Sequence, residues 1–171
     1  MQALVDIVRQ GKALYVGISR WPLEALKVAK EYLAAHDVPL LIYQGRLNLI
    51  DRQPQQEGIL DYCAENGLGF ISFSPLAQGL LTDRYLHGIP EDSRMKRAHF
   101  LKPDILTPEL LDKLRHMNTV AESRGETLAE MALAWILHQQ GVTSVLVGAS
   151  SAEQLAKNIK CIDAVPFTEN L

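Results

Sequence analysis

The residues best placed to do chemistry lie near the carboxyl end, in Gly148-Ala149-Ser150-Ser151-Ala152-Glu153-Gln154. A glycine closes the apolar run that starts at Ser144, and a serine pair opens what reads as a helix. Free backbone N–H groups and the positive end of a helix dipole favour an anion at such a place. Ser150, Gln154 and Asn158 recur at i, i+4 and i+8 on one helical face, while Ala152, Leu155, Ile159 and Ile162 line another. The same letters also satisfy ordinary capping, as Ser150-x-x-Glu153 or Ser151-x-x-Gln154. A second concentration lies in the polar stretch 78–106, where Arg84, Arg94, Lys96, Arg97 and Lys102 outnumber Asp83, Glu91 and Asp92. That excess suits a phosphate-rich ligand and a solvated loop equally, and a structureless connection of this length is expected to be a lid or disordered.

Smaller signals stand at the ends of apolar runs: Ser19-Arg20, Gln44, and Phe73-Ser74-Pro75. Gln44 can hydrogen-bond an amide and Phe73 can stack on a flat ring; a satisfied polar group and a core aromatic are the plain alternatives. Other chemistries find no support. Gly67-Leu68-Gly69 precedes its apolar run and lacks the third glycine of a dinucleotide fingerprint. His36, His87, His99, His116 and His138 show no metal-ligand spacing, there is no G-x-S-x-G elbow, and neither Cys63 nor Cys161 falls at the end of such a run.

The elements that must carry these residues follow from the apolar pattern. Ala13 to Ile18, Leu40 to Tyr43, Gly69 to Phe73 and Ser144 to Gly148 have the continuously apolar character of strands buried on both faces. Each is followed by helix signals: Pro22 with Leu23, Leu26, Ala29 and Leu33; Gln56 to Glu65, closed by Asn66-Gly67; Thr107-Pro108-Glu109 running to Ala121; a capping box at Thr127 and Glu130 before the all-round apolar run Met131 to Leu137; and Ser150 to Ile162. Strands separated by helices pair in parallel, so the class is α/β. The first strands start about 27 to 30 residues apart, close to the roughly 31 per unit of a (β/α)8 barrel. Four units are present where eight close a barrel. Ala3, Leu4, Ile7 and Val8 read as the end of a helix without its strand, and Thr168-Glu169 as the start of another helix after Pro166. The expectation is a single partial barrel domain over 1–171, four parallel strands with crossover helices. Its two open edges call for self-association or a complementing half.

Composition bounds the partners. With 17 Lys and Arg against 20 Asp and Glu, no global positive field is available to hold nucleic acid. A domain of 171 residues buries about 70% of its unfolded surface, so it needs no disulfide framework, and two cysteines could not build one. No run reaches the roughly 18 apolar residues of a membrane span, and the opening Met1 to Lys12 lacks the apolar core of a signal peptide. A cytoplasmic protein with reduced thiols and no membrane insertion is expected.

Taken in order, Gly11 to Trp21, Phe73-Ser74-Pro75-Leu76-Ala77-Gln78-Gly79-Leu80-Leu81-Thr82, Gly88 to Arg94 and Ser144 to Asn158 resemble the aldo-keto reductases, especially their potassium-channel β-subunit-like branch. The resemblance spans essentially the whole chain and implies the carboxyl-terminal half of an NADP(H)-binding (β/α)8 barrel that reduces small aldehydes or ketones. It implies that Ser19, Arg20 and Gln44 meet the nicotinamide carboxamide, and that Phe73 stacks on the nicotinamide ring. Ser74, Leu76 and Gln78 would follow the pyrophosphate, with Arg84 and Arg94 in a covering loop over about 78–106. Gly148, Ser150, Gln154 and Asn158 would take the adenosine and its 2′-phosphate. Lys157 stands where some relatives carry an acidic residue, and Asp92 where channel-type relatives carry Tyr. The family's acid, a Tyr assisted by Lys, Asp and His, belongs to strands before this stretch, so none of Tyr15, Tyr43, Tyr62 or Tyr85 takes that role and no catalytic residue is assigned. On this resemblance the chain is catalytic only if the missing amino-terminal strands are supplied; the alternative is a non-catalytic truncated aldo-keto reductase-like protein or a nucleotide-binding interaction module.

Overall fold

Strand and helix alternate along the chain as the apolar runs require. The computed structural model describes residues 1–91, 93–97 and 103–167; Asp92, His99, Lys102 and the Thr168-Glu169 pair lie outside the described residues, as do the side chains of Arg94 and Arg97. Two compact units form, one from Met1–Leu47, Asp51–Phe73 and Gln139–Leu146, the other from Asn48–Ile50, Ser74–His138 and Val147–Leu171.

The first unit holds α1 (Gln2–Arg9), β1 (Val16–Ser19), α2 (Leu23–Ala34), β2 (Leu40–Arg46), α3 (Gln53–Gln56), α4 (Ile59–Glu65), β3 (Gly69–Phe73) and β4 (Val142–Val145). The strands pair in the order β1-β2-β3-β4, all parallel. Among the described residues nothing pairs the outer edges of β1 and β4. α2 packs on β2 through Leu26, Ala29 and Leu33, none more than 1% exposed. Each such leucine contributes about 2 kcal/mol of burial.

Continuous burial on both strand faces is not what the sheet shows. Val16 and Ile18 are buried while Gly17 and Ser19 are exposed, and on β2 Tyr43 and Gly45 are buried while Gln44 is half-buried and Arg46 exposed. Among the described residues of this unit, the helices cover one face only. Ile18, Tyr43 and Phe70 stand in register on that covered face, with the Tyr43 and Phe70 rings stacked at 5.7 Å. A register shift after Val16 leaves Leu41 out of the pairing and 45% exposed. The first strand also begins three residues later than its apolar run, and the last ends at Val145. The expected helix over 56–65 is divided into α3 and α4 by Gly58, whose φ of 71° breaks the helical path.

Gly141 shows how closely the turn before β4 approaches α4. Its φ is +88°, and a Cβ there would lie 2.8 Å from the backbone oxygen of Leu60. Gly141→Ala should destabilise the first unit by about 2 kcal/mol, combining left-handed strain with a clash against backbone that cannot swing away. A urea midpoint lowered accordingly, with an unchanged m value, is the expected readout.

The second unit holds α5 (Arg94–Arg97), α6 (Pro108–Ser123), α7 (Leu128–Leu137) and α8 (Ala152–Ile159), with 3₁₀ turns at Ala77–Gly79, Asp83–Tyr85, Pro103–Ile105 and Lys160–Asp163. The capping box forms as expected: Thr127 N donates to Glu130 Oε2 at 2.8 Å and Glu130 N to Thr127 Oγ1 at 3.2 Å. Met131 to Ile136 are all buried. The stretch 78–106 is not structureless in its described parts. Leu80, Leu81, Tyr85, Leu86 and Met95 are buried in one core with Leu114, Ala121, Leu128, Met131 and Ala132. Apolar letters spaced without a regular period anchor 3₁₀ turns, which no helix or strand period reveals.

On α8 the apolar letters are not the buried ones. Asn158 is buried, whereas Leu155, Ile159 and Ile162 are 40%, 51% and 69% exposed. Among the described residues nothing covers that apolar stripe. No described helix is long and apolar enough to cross a membrane.

Candidate functional site

The parallel register of the first unit brings the expected Ser19, Arg20, Gln44 and Phe73 to the carboxyl ends of adjacent strands. Ser19 pairs with Gln44, and Arg46 with Phe73. Arg20 N donates to Gln44 O at 3.1 Å, and Arg20 takes a φ of 59°. Ser19, Gln44, Arg46 and Phe73 thus share the face that helices leave uncovered, because side chains two residues apart on a strand point the same way. That face can offer a hydroxyl, a primary amide, an aromatic ring and a cation.

Beside it, a cavity of about 460 Å³ is lined by Arg20, Trp21, Tyr43, Arg46, Asp51 and Glu57, among others. Tyr43 Oη donates to Trp21 O at 2.8 Å, and burial, with the nearby Cys63 and Glu57 adding to it against Arg20, pushes its hydroxyl up to about 12. So held, Tyr43 is a poor proton donor. Burial likewise pushes the Cys63 thiol up to about 11, leaving little thiolate near neutrality. Both cysteines are unpaired and buried. Among the described residues no cluster of His, Cys, Asp or Glu could hold a metal ion.

The second unit carries the remaining candidates. Ser74, Ala77 and Gln78 have φ values of 52°, 46° and 59°. Such conformations cost about 1 to 3 kcal/mol each for residues with a Cβ and persist only when their surroundings hold them. Here the turn is fixed by Ala77 N donating to Ser74 O at 3.0 Å and Gly79 N to Leu76 O at 2.8 Å, with Leu76 packed against the core cluster. Asn48, 1% exposed, adds a brace: its Nδ2 donates to Ser74 O at 3.0 Å while its Oδ1 accepts from Ile50 N at 3.0 Å. Asn48 was not singled out from the sequence, although a polar letter inside Leu47-Asn48-Leu49-Ile50 is the signal that could have found it. Arg46 was missed as well, because it looks like an ordinary strand terminus.

Arg84 is exposed in the 3₁₀ turn capped by Thr82, and Arg94 lies in α5 with its side chain outside the description. Gly148 is exposed three residues beyond β4, rather than at the strand's end. The capping reading of α8 is realised through Ser151, whose Oγ accepts from Gln154 N at 3.1 Å, whereas Ser150 N and Oγ both donate to Gln154 Oε1, at 2.7 and 3.1 Å. Asn158 differs from these. It is 6% exposed, and its Nδ2 has no hydrogen-bond partner among the described residues. An unpaired buried donor costs about 1 to 3 kcal/mol, and a ligand acceptor would relieve that cost.

The sequence model of the Aldo/keto reductase family matches residues 1–170. The chain belongs to the aldo/keto reductase family. It is 49% identical to an L-glyceraldehyde 3-phosphate reductase of Escherichia coli O157:H7 over 174 residues, covering 99% of this chain and 50% of that protein. The protein of the same name from Escherichia coli K12 is 47% identical over 170 residues, covering 97% of this chain and 49% of its own length. The chain therefore spans about half the length of these relatives. A crystal structure of a thermostable aldo-keto reductase in complex with the inhibitor epalrestat matches with a TM-score of 0.70 and 24% identity, over 99% of this chain and 50% of that one. The four parallel strands and their helices are thus a fragment of the aldo/keto reductase barrel fold.

Proposed function

We propose that this chain is the carboxyl-terminal, dinucleotide-binding half of an aldo/keto reductase, that its dinucleotide is NADP(H), and that it serves the reduction of a small aldehyde or ketone. The observation that carries the reading is the buried Nδ2 of Asn158, a donor without a hydrogen-bond partner among the described residues. It stands on the helix to which the family resemblance assigns the adenosine. In the second unit, Gly148, Ser150, Gln154 and Asn158 would hold the adenosine and 2′-phosphate, Ser74, Leu76 and Gln78 the pyrophosphate, with Arg84 and Arg94 in the covering loop. In the first, Ser19, Arg20 and Gln44 would orient the carboxamide against Phe73. NADP(H), when bound, supplies the hydride for the carbonyl carbon.

The carbonyl oxygen also needs a proton donor within hydrogen-bond reach. Tyr43 is engaged with Trp21 O, Tyr85 is buried, and Tyr15 lies before β1 at the opposite end of the strand from Ser19. In this reading the acid comes with the strands that would pair β1 and β4, and residues 1–171 form one partial barrel domain acting in the cytoplasm without nucleic acid or membrane. The free strand edges, with Leu14 and Tyr15 80% and 62% exposed near one and Leu146 46% exposed near the other, support a complementing half or self-association. The same lack of a placed tyrosine favours, as a second reading, a nucleotide-binding module without turnover.

An NADPH titration of the purified chain tests both. Saturable quenching of Trp21 and Trp135 fluorescence is expected, tighter for NADPH than for NADH, together with no aldehyde-dependent oxidation by the chain alone. Oxidation that begins when the amino-terminal half of a relative is added would select the reductase over the module. A folded chain that binds neither dinucleotide would refute both.

A further inference from the structure

We infer that Arg46 anchors an anionic group, a phosphoryl or carboxylate oxygen set, on the carbonyl substrate. The inference deepens the proposed function and rests on it for the nature of the ligand. Arg46 is the last residue of β2, two beyond Gln44 and on the same face, and it stands in register with Phe73. Its guanidinium carbon lies 5.8 Å from the centroid of the Phe73 ring. A permanent positive charge therefore stands beside the ring, and on the strand face of the amide, that the proposed function gives to the reacting end of the dinucleotide. The substituents of a bound carbonyl compound arrive at that place.

The chemistry of the side chain fits the role. Among the described residues the guanidinium makes no hydrogen bond, and its ion-pair partner is Asp51, at 3.6 Å, a distance beyond normal hydrogen-bond length. The two side chains are 45% and 34% exposed. A pair so open to water contributes at most about 1 kcal/mol, so an incoming oxyanion can displace it. Five N–H donors in a planar fork match two oxygens of a phosphate or carboxylate at once, which a lysine ammonium cannot do. Glu24 and Glu57 line the adjoining cavity with Asp51, but among the described ion pairs only Asp51 contacts Arg46. These acids disfavour an anion placed deeper in the cavity and restrict the site to the open, Phe73 side of Arg46.

The test is calorimetric titration of the chain with glyceraldehyde 3-phosphate and with unphosphorylated glyceraldehyde, for the wild type, Arg46→Ala and Arg46→Lys, with NADPH titrated in parallel. The wild type should prefer the phosphorylated aldehyde by about tenfold or more, as a charge-assisted bidentate contact implies. Arg46→Ala should abolish that preference, and Arg46→Lys should restore part of it, a graded rescue that a merely structural role would not produce. Thermal midpoints measured on all three confirm that the variants are folded. Equal affinity of the wild type for both aldehydes, or an undiminished preference in Arg46→Ala, overturns the assignment whatever NADPH does. If the preference follows Arg46 while NADPH does not bind, the anion site stands and the dinucleotide reading falls.

Discussion

Arg124→Ala is expected to destabilise the second unit by about 2 to 3 kcal/mol, read as a lower urea midpoint followed by the fluorescence of Trp135. Arg124 and Glu126 form a two-pronged pair, Nε to Oε2 at 3.0 Å and Nη2 to Oε1 at 3.1 Å, with side chains only 8% and 10% exposed. The pair also ties down the segment after α8. Arg124 Nη2 donates to Val165 O, Val165 N donates to Glu126 Oε1 at 3.1 Å, and the guanidinium lies 4.2 Å from the Phe167 ring centroid. Removing the arginine leaves a carboxylate in a poorly hydrated place with one remaining backbone donor, and that uncompensated charge accounts for most of the loss. Arg124→Lys keeps the charge without the fork and should fall between wild type and alanine. If the contacts act as argued, proteolysis between Ala164 and Phe167 will accelerate in step with the loss of stability.

Asn158→Leu is expected to separate affinity from stability. NADPH affinity should fall by about tenfold or more, as when a hydrogen bond to a buried group is lost, while the urea midpoint stays level or rises. The sign follows from the unpaired Nδ2. In the absence of ligand the amide bears the desolvation cost of a donor without an acceptor among the described residues, so an apolar side chain of similar size removes a cost rather than an interaction. A structural asparagine would behave in the opposite way, losing stability with no change in NADPH binding. Ser150→Ala provides the contrast, since Ser150 and Gln154 already bond to one another and stand exposed.

Much of this molecule is legible in its letters because local physics sets it. The apolar runs that become β1 to β4, the Asn66-Gly67 stop and the Thr127 to Glu130 capping box all depend on side chains within a few residues of one another. Parallel pairing followed from the helix between each pair of strands, and the pairing carried Ser19 to Gln44 without further information. The family resemblance selected the remaining candidates. It could do so because motifs spaced along the chain keep their order even where no single one is diagnostic.

What the letters could not supply was coverage. A strand that reads as apolar on both faces is buried on both only if something lies against each, and among the described residues of the first unit the helices cover only the face of Ile18, Tyr43 and Phe70. That Asn158 is buried on α8 while Leu155, Ile159 and Ile162 are exposed has the same origin. The stretch 78–106 reads as polar and irregular, yet its described part is anchored by Leu81 and Tyr85, because 3₁₀ turns leave no period to detect. Sequence by itself therefore determined the class, the order of the elements and the residue types at the candidate site. Only the tertiary structure decided that Arg46 stands over Phe73, that Asn48 braces the strained turn at Ser74, and that Asn158 is buried with a donor unmatched among the described residues. Periodicity reports neighbours along the chain, whereas burial and hydrogen-bond satisfaction depend on neighbours across it.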